Sequence, residues 1–211
     1  MPAPSFIHVR AHSAYSLSEG ALPIKQMASL AVKNHMPALA ITDTGNLFGA
    51  LEYSEALAEK GVQPIIGITL KVDCGREDGK SPAQPGIKRH PSLALLAKDE
   101  VGYGNLMKLT SRNFLDVPAT EEPHVTWEVF AAHTDGLICL SGGPQGPLNG
   151  ELVQGQMGHA RDLAMRLKEL FGDRLYVELQ RHNLPEERAA EPGLMELAYE
   201  LGIPLVASNQ C

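Results

Sequence analysis

An α/β fold built from βαβ units is predicted for this chain on two observations. Short apolar runs rich in β-branched residues alternate with longer stretches whose apolar residues recur every three or four positions, from one end of the chain to the other. A repeated phrase of helix, Gly or Pro, then strand punctuates them, as in His35-Met36-Pro37-Ala38, Lys60-Gly61-Val62-Gln63-Pro64 and Leu201-Gly202-Ile203-Pro204. With 211 residues, 44% of them hydrophobic and 20% charged, the chain suffices for one hydrophobic core, so a single domain over 1–211 is expected.

The elements follow in order. Phe6–Arg10 reads as a first strand, and Ile24–Asn34 as a core-facing helix that stops before Pro37. Ala38–Thr42 is an apolar second strand, Leu47–Lys60 a helix ended by Gly61, and Pro64–Val72 a third strand. Asp73–Pro91 is rich in Gly, Pro and charge and reads as an exposed loop, as does Asp116–Pro123 with its two prolines. Between these loops lie a strand at Leu93–Ala97 and a helix over Gly104–Asn113. Thr126 is a good cap for a short helix that Trp127 anchors through Phe130. Leu137–Ser141 is a buried strand followed by a tight turn at Gly142-Gly143, which has no following Lys and Ser/Thr to cradle a phosphate. Helix Ala160–Phe171, strand Leu175–Leu179, helix Glu186–Leu201 and strand Pro204–Ala207 complete the chain. His182 and Asn183 lead into the last helix, with Asn183 or a neighbour as its cap. His35, His90, His124, His133 and His159 fall on loops or helix ends, where a histidine usually meets solvent.

In parallel α/β folds functional groups collect at the C-terminal ends of strands. Those positions hold His8 to His12 and Glu19, then Asp43 and Thr44, Thr69, Ser92, Ser141 to Gly143, Gln180 to His182, and Ser208 to Gln210. His8, Arg10 and His12 stand at alternate positions, which on a strand share one face. Two imidazoles suit a divalent metal, but a guanidinium between them offers no lone pair and repels a cation. The segment reads either as a former metal site or as the solvated face of a strand.

A formal net charge of −7 argues against holding DNA mainly by phosphate neutralisation. Three widely spaced cysteines, Cys74, Cys139 and Cys211, form no CxxC pair, so neither a disulfide framework nor a zinc knuckle is indicated and the compartment is expected to be reducing. Met1–Ser5 has no basic region leading into an apolar run, and no stretch approaches the ~20 apolar residues that cross a bilayer, so a cytoplasmic protein is expected.

Six ordered segments are similar to the polymerase and histidinol phosphatase (PHP) domain at the N-terminus of bacterial DNA polymerase III alpha subunits. They are His8-Val9-Arg10-Ala11-His12-Ser13-Ala14-Tyr15-Ser16-Leu17-Ser18-Glu19-Gly20, the stretch from Pro37 to Ala50 around Thr42-Asp43-Thr44-Gly45, Gly61 to Gly67, Leu95 to Leu106, Gly136 to Gly143, and Ile203 to Asn209. The resemblance implies a distorted, TIM-barrel-like (β/α)7 barrel whose active members hold up to three divalent metals at the C-terminal mouth for phosphoester hydrolysis. Aligned on that pattern, the HxH pair falls on Arg10 and His12, the following acid on Glu19 and the Thr-Asp-His histidine on Thr44. The third-strand acid falls on Thr69, the next His on Ser92, a Cys or His on Gly143 and the final Asp on Gln210, with the last His position beyond Cys211. These, with His8 and Asp43, are the vestigial site positions. A two-metal mechanism needs several carboxylates and imidazoles, so no metal or other cofactor is expected here, and Arg10 is expected to neutralise Glu19 or Asp43.

The resemblance further implies an N-terminal portion of a replicative DNA-directed DNA polymerase, a nucleotidyltransferase, cut short at its C-terminal end. The polymerase acids and their Mg²⁺ ions would lie outside this chain, which has no catalytic residues of its own in this reading. A scaffold that supports the polymerase III core and docks the proofreading exonuclease subunit is expected, with DNA met through the parent protein and no membrane. The rival is a residual phosphoesterase, a 3′-5′ exonuclease or pyrophosphatase, with Zn²⁺ or Mn²⁺ at the mouth. A free-standing histidinol-phosphatase-like enzyme is disfavoured by the lost ligands.

Overall fold

A computed structural model describes residues 6–75 and 90–210. The expectations for Met1–Ser5, for Cys211 and for most of the Asp73–Pro91 loop lie outside the described residues.

The strands are β1 (Ala38–Ile41), β2 (Gln63–Asp73), β3 (Ser92–Ala97), β4 (Val125–Thr126), β5 (Leu137–Leu140), β6 (Leu175–Leu179) and β7 (Leu205–Ala207). The helices are α1 (Ile24–Lys33), α2 (Ala50–Ala58), α3 (Glu100–Leu115), α4 (Trp127–Ala131), α5 (Pro147–Val153), α6 (Met157–Phe171) and α7 (Pro185–Leu201). One sheet runs in the order β1-β2-β3-β5-β6-β7, with β4 paired to β2.

The sheet contains both parallel and antiparallel pairs. Where a helix intervenes, β1 and β2, β5 and β6, and β6 and β7 are parallel. No described helix separates β2 from β3, and these two strands are antiparallel; β3 and β5 are antiparallel as well, although α3 and α4 lie between them. The sheet is therefore a mixed one.

Phe6–Arg10 is also corrected, since it carries no strand. It runs beside β1 with sparse bonds, from Ala40 N–H to the His8 carbonyl (2.9 Å) and from Thr42 N–H to the Ala11 carbonyl (2.8 Å). Two bonds spaced this way do not make a continuous ladder.

The core lies on one face of the sheet. Ile68, Leu70 and Val72 of β2 and Leu93 and Leu95 of β3 pack with Leu106 and Leu109 of α3, Leu167 of α6 and Leu194 of α7. Strand alternation turns Thr69, Ser92 and Ala94 the other way, onto the concave face. At one end of that face an open cavity of about 730 Å³ is walled by Ile65, Leu96, Ile138, Leu140, Tyr176 and Val206. Polar side chains gather beyond the C-terminal ends of β1, β5, β6 and β7 and around Thr69 within β2.

The short helix at Trp127 is present, with the Thr126 hydroxyl accepting from Val129 N–H and Trp127 packed 5.6 Å from Phe130. The Gly142-Gly143 turn is present too: Gly142 has φ +91° and starts a one-turn 3₁₀ segment. Helix α5 was not foreseen, because its seven residues are few for a periodic pattern and Gly150 weakens its interior.

Candidate functional site: the polar mouth of the barrel

The chain from Arg10 to Glu19 crosses the mouth as a series of turns. Arg10 is fully buried, and its Nη1 donates to Glu178 Oε2 at 3.0 Å. This corrects the expected pairing with Glu19 or Asp43, both of which have other donors. Asp43 accepts from Ser13 N–H (2.7 Å), Ser13 Oγ (2.7 Å) and Ser16 Oγ (2.6 Å). Glu19 accepts from Thr44 Oγ1 at 2.5 Å.

Glu178 sits in the apolar strand Leu-Tyr-Val-Glu-Leu with no exposed surface. Its second carboxylate oxygen accepts from Gln180 Nε2 (2.8 Å) and from Ser208 Oγ, and its backbone N–H donates to Ser141 Oγ (2.9 Å). A buried ion pair needs such additional bonds to survive desolvation. Arg10 is less well served: among the described residues its Nε and Nη2 find no acceptor.

A second line of bonds runs through His12. Gln210 Nε2 donates to His12 Nε2 at 2.8 Å, so His12 carries its proton on Nδ1, which faces Ser16 Oγ at 3.2 Å. Ser16 then donates to Asp43 while accepting from Thr44 N–H (3.0 Å). Burial, and then the Arg10 charge, hold the His12 pKa below its ordinary value against the raising effects of Glu19 and Asp43.

The remaining positions fall as follows. Thr69 bridges to Thr44 across neighbouring backbones, and its hydroxyl donates to the Thr42 carbonyl at 3.0 Å. Ser92 is buried at the start of β3, its carbonyl against Gly142. Gly143 has φ +56°, and a Cβ there would meet Gln180 Cδ and Nε2 at 2.7 Å. His8 turns to Phe6, ring centroids 4.8 Å apart and edge to face, and burial lowers its pKa. The mouth therefore brings together Arg10, His12, Glu19, Asp43, Thr44, Thr69, Gly143 and Gln210.

Three members, Glu178, Ser13 and Ser16, were missed by sequence reasoning. Glu178 could have been found as an acid in an otherwise apolar buried strand, a placement that demands a partner. Ser16 gave no signal of its own. The cap position of α7 is Leu184, the neighbour of Asn183, and Glu187 in the first turn reaches back to accept from Leu184 N–H (3.1 Å) and His182 N–H (2.7 Å), while its other oxygen meets His182 Nδ1 at 2.7 Å. Burial alone would raise the Glu187 carboxyl, but these bonds outweigh it and lower its pKa.

The family model described as PHP domain matches residues 8–182. The chain belongs to the PHP family. Among curated proteins, this PHP chain is 47% identical over 204 residues to the DNA polymerase III subunit alpha of Caulobacter vibrioides, covering 97% of the chain and 18% of the relative. It is 40% identical over 210 residues to the same subunit of Treponema pallidum, covering 99% of the chain and 18% of the relative. The PHP chain thus spans less than a fifth of the length of these curated relatives. Among solved structures it is similar to an amidohydrolase from Chromobacterium violaceum with bound sulfate and no metal, at TM-score 0.58 and 13% identity, over 97% of this chain and 86% of that one. A Bifidobacterium adolescentis protein assigned as a metal-dependent phosphoesterase aligns at TM-score 0.57 and 16% identity, over 96% and 86%. At such identities the likeness is one of fold, and it agrees with the barrel architecture implied by the sequence motifs.

Proposed function

We propose that this chain is the N-terminal PHP domain of a replicative DNA polymerase III alpha subunit and serves there as a non-catalytic support, its metal site replaced by an internal polar network. The observation that carries the reading is the buried Arg10–Glu178 pair, a fixed cation held at 3.0 Å from a carboxylate inside the mouth. A guanidinium has no lone pair for a metal. The donors around it fit an ion no better: Gln210 takes the His12 Nε2 lone pair, Ser13 and Ser16 occupy Asp43, and Gln180 fills the space beside Gly143. Thr69 and Ser92 stand where the motif places an acid and a histidine.

A docking role is supported by apolar side chains left in solvent near the mouth loops. Leu17, Phe48 and Leu51 are 86%, 73% and 72% exposed, and the Phe114 ring approaches Gly45. Such side chains at a rim suit a protein partner. The partners proposed are the polymerase III core and its proofreading exonuclease subunit.

Two measurements test the reading. Supplied with Mn²⁺ or Zn²⁺, the chain should show no hydrolysis of pyrophosphate or of 3′-ended single-stranded DNA above that of a His12→Ala variant. Activity that His12→Ala or Glu19→Ala abolishes would replace this reading with the phosphoesterase one. In gel filtration with the exonuclease subunit, Leu17→Asp and Phe48→Asp together should weaken co-elution at least tenfold, and unchanged co-elution would remove that surface from the docking role.

A further inference from the structure

We propose that Asp73, His90 and His124 form a binding site for a zinc-like divalent transition metal, separate from the barrel mouth, that clasps three segments at the far end of β2. One ligand atom from each residue lies within 4.8 Å of the other two. The register of the sheet produces the cluster. Lys71 pairs with Ser92 across β2 and β3, and two residues further on each segment Asp73 comes opposite His90, with Val72 N–H donating to the Pro91 carbonyl at 3.0 Å. On the other edge Asp73 pairs with Thr126 of β4, which brings in His124 two residues earlier. Asp73 lies four residues beyond Thr69, about 13 Å along an extended strand, so the cluster is distinct from the mouth.

The chemistry of the three side chains selects the ion. Two imidazoles and one carboxylate make a borderline donor set, suited to Zn²⁺ and its neighbours rather than to Mg²⁺ or Ca²⁺. His124 Nδ1 lies 2.8 Å from the Glu122 carbonyl, so it carries the proton and Nε2 keeps a lone pair. A backbone carbonyl fixing the tautomer is the usual support of a metal-bound histidine. The His90 and His124 rings lie stacked at 3.8 Å with 18° between their planes, and His90 Nδ1 is 4.0 Å from Asp73 Oδ1. Edges of a four-coordinate site with bonds of about 2.0–2.1 Å are about 3.4 Å, so binding asks only for side-chain rotation that tilts the rings apart. Both imidazoles are nearly buried, while the Asp73 side chain is 44% exposed and leaves a path for the ion and a position for water.

The test uses the chain stripped of metal and titrated with Co²⁺, whose four-coordinate complexes absorb in the visible, and then with Zn²⁺ in competition. One equivalent of Co²⁺ should give that absorption, Zn²⁺ should displace it, and saturating Zn²⁺ should raise Tm by several degrees. His90→Gln and His124→Gln should each abolish the absorption, and Asp73→Asn should weaken binding about tenfold or more, whereas His12→Ala should leave it intact. Circular dichroism of the metal-free variants checks that they fold. If His124→Gln does not, His90→Gln and the more exposed Asp73→Asn give the answer. No absorption in the parent chain, or the same absorption in the folded His90→Gln and Asp73→Asn variants, would overturn the proposal.

Discussion

Removing the Arg10 side chain would leave the Glu178 carboxylate buried with only amide and hydroxyl donors. An isolated buried charge is far costlier than the pair is valuable, so Arg10→Ala should destabilise the chain by about 3–5 kcal/mol in urea unfolding. The double variant Arg10→Met, Glu178→Met should lose much less, because it deletes both charges and retains most of the volume; an equal loss would mean that packing, not charge, governs the site. His12 supplies a pH signature. Its folded pKa lies below the ordinary 6.5, so beneath that pH the unfolded chain binds more protons than the folded one. Stability should therefore fall as pH drops from 6.5 towards the lowered value and level off below it, with a shallower fall in His12→Gln. An identical pH profile in that variant would place the titration elsewhere. Arg10 was legible in the sequence as a cation between two histidines at alternate positions. Its partner was not, because a salt bridge spanning 168 residues depends on strand order, which local periodicity does not encode.

At the scale of elements, α3 is fastened twice at its start. Asp99 accepts from Gly102 N–H at 2.9 Å as the helix cap, and a Cβ on Gly102 would meet the Gly136 carbonyl at 1.9 Å. Asp99→Ala should cost about 1 kcal/mol, as lost caps do. Gly102→Ala should cost more than that, because backbone must move, and a smaller loss would show that the α3 junction yields easily. Helices α1, α2, α3, α6 and α7 were readable from three- and four-residue spacing and from their Gly or Pro stops. The N-terminal segment was not: Phe6–Arg10 has strand composition but lies beside β1 with too few bonds, so tertiary context overrides local propensity. The antiparallel pairing of β3 was hidden for a related reason, since the direction in which a strand enters the sheet is set by the tertiary arrangement and not by the composition of the strand itself. The expectation that His90 and His124 meet solvent failed because β4 and the end of β2 fold over them.

At the scale of the whole molecule, the mouth of the PHP half-barrel is crossed by internal bonds. One chain of donors runs from Gln210 through His12 and Ser16 to Asp43, and a second converges on Glu178 from Arg10, Gln180 and Ser208. The motif alignment singles out its positions one by one, but only the fold shows which neighbouring side chains bond to them. Among the described residues, no helix is long and apolar enough to cross a membrane. The measurement that bears most directly on this account is anomalous diffraction from crystals of the chain soaked in millimolar Mn²⁺. The account predicts no manganese peak within bonding distance of His12, Glu19 or Asp43, with Arg10 still on Glu178. A well-occupied peak on those three residues, with Arg10 displaced, would contradict it.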